Sequence, residues 1–309
     1  MIKNRIFLLL KITTFFLVVY LFLKFINQKN FLLIFTKINI KDVFIIYALF
    51  LMLPLLMTIR WFIIVSNFSK IKFIDFFRNI VAGFSFSLIF SSTLAIEAAK
   101  FIKIKKELGN KKSIILIFID KFLALFFKII FILFILIIYL YYYIDSNINY
   151  LIISVISFLF LIIIFLNINK LILLFSRKIF SKNNFKIFDK ISKVIKKEIL
   201  KLFFVNLLIQ SLNIFIYFLI FLFLEKKFQI IELSILVPLV ELLSQFQFLV
   251  FGMKELSTVF LFGYLDISKE LALVGALMYT FVDYLIVISL YLFLNIKKIN
   301  FFQKLLNFR

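Results

Sequence analysis

Apolar runs of about 20 residues recur roughly every 30 to 40 positions along the chain, parted by short loops rich in Lys and Asn. Six of them, at about 6–26, 43–64, 113–142, 148–167, 202–224 and 270–294, are long enough to cross a hydrocarbon layer of roughly 30 Å at about 1.5 Å per helical residue, and each is predicted to be a full span. Two further apolar segments, at about 79–99 and 231–263, are interrupted. Ser85, Ser87, Ser91, Ser92, Thr93, Glu97 and Lys100 punctuate the first; Pro238, Glu241, Gln245, Gln247, Gly252, Lys254 and Glu255 punctuate the second. The run at 6–26 follows Lys3 and Arg5 as a signal peptide would. It is too long for one and lacks a small-residue cleavage site, so it is read as a first span with the amino terminus inside.

Basic residues orient these elements, because loops rich in Lys and Arg stay cytoplasmic. Lys70, Lys72 and Arg78 precede the first interrupted segment, and Lys100, Lys103, Lys105, Lys106, Lys111 and Lys112 follow it. With both flanks inside, that segment is predicted to re-enter the membrane rather than cross it. The loop at 143–149, with Asp145 and no Lys or Arg, falls outside, and 177–201, with nine basic residues against Asp189 and Glu198, falls inside, read as an amphipathic helix on the inner leaflet. The tail with Lys297, Lys298, Lys304 and Arg309 is cytoplasmic if the second interrupted segment re-enters from the outer face. Lys24, Lys29, Lys37 and Lys41 depart from the rule by lying outside. The expected fold is therefore all-α: a polytopic membrane helix bundle of about six full spans plus two broken or re-entrant segments. It forms one membrane domain over 1–309, with halves at 1–147 and 148–295 and a basic tail at 296–309. An odd number of crossings per half inverts the second half relative to the first, the arrangement common in transporters, although no residue-level repeat joins the halves.

Composition narrows the chemistry. Hydrophobic residues make up 65% of the 309, and mean hydropathy is +1.15, values that exclude an ordinary soluble domain. The net charge of +22 sits in short loops rather than along one soluble face, so it fits anionic inner-leaflet lipid and not nucleic acid. There is no Cys and no His, which removes disulfides, thiol nucleophiles, imidazole bases and the usual zinc ligand sets. Five glycines supply no phosphate-binding loop for ATP. No catalytic residue, metal site or cofactor is expected.

The charges inside apolar segments are the candidate site, since a charge near mid-bilayer costs roughly 2.5–3.5 kcal/mol on insertion scales and generally faces a cavity or a partner. Glu97 and Lys100, three apart, share a helix face: they form either a local ion pair or a headgroup site in which Lys100 attracts phosphate and Glu97 offsets the charge. Lys254 and Glu255 are adjacent, point about 100° apart on a helix, and need partners elsewhere. A gate pairing Lys254 with Glu97 and Glu255 with Lys100 is one expectation. Asp120, Lys121 and Lys128 lie in the span from 113; Arg60 beside Trp61 reads as an interfacial anchor or a site residue. Glu241, one face with Gln245, and Asp283 in the last span are candidates for proton coupling, or for interhelical hydrogen bonding as protonated acids.

These residues resemble the motifs of the lysylphosphatidylglycerol synthase transmembrane-region family, the flippase-like domain proteins. IRWFIIV at Ile59–Val65 looks like the family's R-W span. SSTLAIEAAK occupies the place of its L-P-x-x-x-G-G-D-x-x-R segment, with Glu97 for the Asp and Lys100 for the Arg; Asp120-Lys121 looks like its D/E-R pair and Gly252-Met253-Lys254-Glu255 like its G-x-R-E motif. No Pro or Gly-Gly precedes Glu97, and Lys stands at each of those three later Arg positions, keeping charge while losing the bidentate fork. The aminoacyl-transferase domain carried by some members is absent from this sequence, so lysyl transfer is not implied.

The resemblance implies a flippase-like transporter of a bacterial inner membrane, multi-pass with both termini cytoplasmic. It would move a phospholipid or a polyprenyl-phosphate-linked lipid through a charged cavity. Substrate-binding roles fall on Glu97, Lys100, Lys254 and Glu255, with Arg60, Asp120 and Lys121 in support. The alternative is a membrane glycosyltransferase or an assembly subunit in glycolipid or surface-polysaccharide synthesis. The first outer loop offers that enzyme only Asp42 among its lysines. Assembly as a homo-oligomer is left open.

Overall fold

Backbone surrounded by hydrocarbon has to satisfy its own N–H and C=O groups, and in the computed structural model every described element is a helix. The structure describes residues 26–87, 92–143, 182–245 and 252–293, together with Tyr20, Lys24 and five positions between 152 and 159. The spans expected at 6–26 and 148–167, the loop with Asp145 and the tail at 296–309 lie largely or wholly outside these residues.

Helix α1 (Gln28–Phe35) and α2 (Ile40–Phe50) each start at an Asn, Asn27 and Asn39, whose side chain accepts from the first-turn amides. Helix α3 (Met52–Val65) carries Pro54 in its first turn, where a missing N–H is harmless. Leu51 between them keeps helical angles, so Ile40–Val65 forms one candidate span. Three more helices are long and apolar enough to cross: α5 (Ser92–Tyr143), α6 (Lys182–Phe223) and α9 (Lys269–Phe293). Four of the six expected spans are thus seen. The basic stretch at 177–201 is not the separate surface helix expected; from Lys182 it is the first part of α6, with Ile191, Ile195 and Leu202 packed into the protein core rather than into lipid.

Both interrupted segments are hairpins. Helix α4 (Phe73–Ser87), 15 residues long, reaches about 22 Å, short of a crossing of roughly 30 Å. The chain returns along the first limb of α5, which ends at Gly109, where φ of 76° bends the helix before its spanning limb. The legs are antiparallel. Lys70 N–H donates to Glu107 Oε2 at 3.2 Å at the open end, Asn79 Nδ2 donates to the Ala99 carbonyl at 2.6 Å, and a Cβ on Gly83 would stand 2.9 Å from Ala99 Cβ. In the second hairpin α7 (Ile230–Ser244) is followed by α8 (Met253–Phe262), and the Phe228 and Phe262 rings meet at 5.8 Å across its base.

The hairpins enter from opposite faces. The first follows the end of α3 and the second follows the end of α6, and those two helices are antiparallel: Phe50 and Leu53 share a core with the Ile209–Leu224 end of α6, whereas Trp61, Ile64 and Val65 share another with Ile191, Ile195 and Leu202. Further contacts repeat in exchanged form, α4 packing on α9 and α7 on α5. An inverted repeat is therefore present in the helix packing even though the residues of the halves do not match. Between the two apolar cores, at the level of Arg60 on α3 and Asn206 on α6, runs a polar seam.

Candidate functional site

On the side of the first hairpin the charges close on one another. Asp120, fully buried on the spanning limb of α5, accepts from Arg60 Nε at 2.9 Å and Nη2 at 3.3 Å, a two-pronged contact, and from Lys100 Nζ at 2.6 Å. Lys100 also donates to Glu97 Oε1 at 3.2 Å, and Lys121 stands 3.7 Å from the same oxygen. Arg60 Nη1 donates to Asn206 Oδ1 at 3.2 Å, tying α3 to α6. Three cations and two carboxylates thus hold each other, with Asp120 and Lys100 almost wholly buried at the centre; removing one partner from such a buried pair generally costs about 3–5 kcal/mol.

The second hairpin is arranged differently. Gly252, at φ 123°, makes the turn into α8, a conformation in which a Cβ is strained. Glu255, three residues on, folds back so that Oε2 accepts from Gly252 N–H at 2.8 Å while Oε1 accepts from Thr280 Oγ1 at 2.7 Å. Gly and Glu of this four-residue motif are therefore structural, shaping and capping the helix start. Lys254, between them in effect, points elsewhere: its ammonium rests 3.1 Å from the centroid of the Tyr279 ring, whose hydroxyl donates to Asn213 Oδ1 at 3.0 Å. Across from it, Lys128 of α5 pairs with Glu241 of α7, the bond that joins the first half to the second hairpin.

A cavity of about 260 Å³ separates the two sets. Arg60, Glu97, Lys100 and Lys121 line it from the first half together with Lys128; Glu241, Gln245, Lys254 and Asp283 line it from the second. Five cations face three carboxylates there, and the buried carboxylates of Asp120 and Glu255 behind the wall bring the two signs to equal numbers. Three buried acceptors in this lining, Glu97 Oε2, Glu241 Oε1 and Gln210 Oε1, have no donor among the described residues. An apolar groove of about 230 Å³ between α5 and α6 adjoins it, sharing Ala124, Lys128, Asn206 and Gln210.

The expected site residues are therefore brought together, Glu255 excepted, but not in the expected pairs. Lys254 does not meet Glu97, and Glu255 does not meet Lys100, because Glu255 caps its own helix and Lys100 is held by Asp120 and Glu97. Glu97 and Lys100 pair locally, and the same two residues line the cavity. Arg60 is not an interfacial anchor: it is 9% exposed, drawn inward by Asp120. Asp42 sits in the first turn of α2, outside the cavity lining. Sequence reasoning passed over Asn206, Gln210 and Asn213, which at i, i+4 and i+7 form a polar stripe down one face of an otherwise apolar span and contribute to the cavity wall.

Fold and cavity together define a multi-pass helical membrane domain in which two opposed re-entrant hairpins frame a charged chamber. The model of the lysylphosphatidylglycerol synthase TM region matches residues 8–290, nearly the whole of the 309-residue chain, and the chain belongs to that family of flippase-like membrane domains. No curated protein and no solved structure matches the chain.

Proposed function

We propose that the chain moves a lipid across a bacterial inner membrane, the headgroup passing through the charged cavity while the tails stay in hydrocarbon. The observation that carries this reading is the cavity's double lining: both hairpins and both halves supply charges to one chamber, so a relative movement of the halves would change which face it opens to. Charges already in place substitute for headgroup hydration. Its volume lies below the roughly 300 Å³ at which pockets for drug-sized ligands begin, which suits a compact headgroup rather than a whole lipid. The adjoining apolar groove gives a tail a place beside the headgroup. The basic ends of the first hairpin and of α6 lie on one face, and the positive-inside rule makes that face cytoplasmic.

Movement is downhill or coupled to an ion, with Glu241 and Asp283 as the acids placed to carry a proton. No chemical step is assigned to the chain. The test is headgroup accessibility of fluorescent phospholipids and of a polyprenyl phosphate in proteoliposomes. The wild type should bring inner-leaflet label to the surface, and Glu97→Gln and Lys254→Met, at matched reconstitution, should abolish this. Label that stays inaccessible for every lipid with folded protein would contradict the reading.

A further inference from the structure

We infer that Lys128 and Glu241 form a releasable bolt between the halves, opened when Glu241 passes from Lys128 to Lys254. The inference rests on the lipid-transport reading above and names the contact that a relative movement of the halves has to break.

The two hairpins are held to the opposite half in unequal ways. Where α4 of the first meets α9, the buried residues are Val81 and Ala82, with Phe77 and Leu290 packed against them. Apolar surfaces of this kind slide past one another without stranding a charge. Where α7 of the second meets α5, Glu241 is paired with Lys128, and both side chains are nearly buried. Parting these helices breaks the pair, and a buried charge left alone is strongly unfavourable. The second contact is therefore the one that holds the arrangement seen here.

An alternative partner stands beside it. Glu241 Oε1 has no donor among the described residues. Lys254, on the same hairpin and lining the same cavity, has no ion-pair partner among them and lies on the face of Tyr279. The fields of Asp283 and Glu241 both reach its ammonium. A carboxylate oxygen is a better partner for an ammonium than a ring face, so Glu241 can take Lys254 as it leaves Lys128. Lys128 then has Asp283 on the same cavity wall, a carboxylate with no hydrogen bond or ion pair among the described residues. Two lysines and two carboxylates balance in either pairing, so the exchange shifts the helices without uncovering net charge. Lys128 also lines the apolar groove between α5 and α6, which puts the bolt where that groove joins the cavity.

The experiment reads cavity access in the purified full chain through Ser244→Cys, on α7 one turn from Glu241, with a water-soluble thiol reagent. Adding Lys128→Met is expected to speed labelling by at least about fivefold, whereas Lys128→Arg, which keeps the pair, should stay within about twofold of the parent. Glu241→Gln repeats the test should Lys128→Met not fold. Unchanged labelling in the neutral variants, or Lys128→Arg labelled as fast as they are, overturns the bolt. The exchange is read from unfolding midpoints. Lys128→Met and Lys254→Met together should lower the midpoint by at least about twice the sum of the single losses, since Glu241 then has neither lysine. An additive loss overturns the exchange. Unchanged labelling alongside lipid movement in proteoliposomes removes the bolt and leaves transport standing; faster labelling of Lys128→Met, with no lipid moved by the folded parent, removes transport and leaves the bolt.

Discussion

The two sides of the chamber are built from the same kinds of residue and treat them in opposite ways. Near the first hairpin, Glu97, Lys100, Lys121, Asp120 and Arg60 are mutually paired, with Arg60 and Lys100 both bonded to a fully buried carboxylate. Near the second, Lys254 lies on an aromatic ring and Asp283 has no hydrogen bond or ion pair among the described residues, while Glu241, like Glu97 opposite, uses one oxygen and leaves the other without a donor. A charge inside a membrane is thus not by itself a sign of function. A closed set of charges joins helices; an open set is available to something that arrives.

The largest expected effect follows from the closed side. Asp120→Asn leaves Arg60 and Lys100 buried without their shared counter-charge and should destabilise the fold by about 3–5 kcal/mol, read as a lowered unfolding midpoint in detergent. Asp283→Asn, on the open side, should stay within about 1 kcal/mol of wild type in the same measurement. Equal losses at the two positions would erase the distinction.

Backbone at the second hairpin gives the next effect. Gly252→Ala forces a Cβ into φ of 123° and should cost about 1–3 kcal/mol, whereas Gly263→Ala, where nothing lies within 4 Å of the added atom, should be neutral in thermal unfolding. Glu255→Gln keeps one acceptor and weakens the other contact, with an expected loss of about 1 kcal/mol and retained lipid movement. A transport defect in Glu255→Gln at normal stability would move that residue from the scaffold to the path.

The smallest stability effect belongs to the residue with the largest expected role. Lys254→Met keeps the stem on Tyr279 and should change the unfolding midpoint by less than about 1 kcal/mol while headgroup accessibility is lost; Lys100→Met should lose both together. That split is what separates an open charge from a closed one.

Much of this architecture is legible in the sequence because lipid leaves the chain few choices. Span length and apolar runs locate α3, α5, α6 and α9, and the basic flanks of 79–99 already demand a hairpin rather than a crossing. The pairings are another matter. Arg60 and Asp120 are 60 residues apart and join only once α3 and α5 pack, while Lys128 meets Glu241 across 113 positions. Glu255 was misplaced in the expected gate for a local reason: at the third position of α8 its carboxylate reaches its own helix start before it can reach Lys100. The Asn206, Gln210 and Asn213 stripe is readable from its spacing, but its residues carry no charge, and only the packed helices show that they line the cavity.

The central claim is that the space between the opposed hairpins receives a headgroup. Because the chain has no cysteine, one introduced thiol can report on that space without background. Ser244, partly buried on the cavity wall, is the position of choice. With Ser244→Cys in the purified protein, a small water-soluble thiol reagent should label the site, and short-chain phosphatidylglycerol should slow labelling by about tenfold or more. Labelling at the same rate with and without lipid would contradict the account.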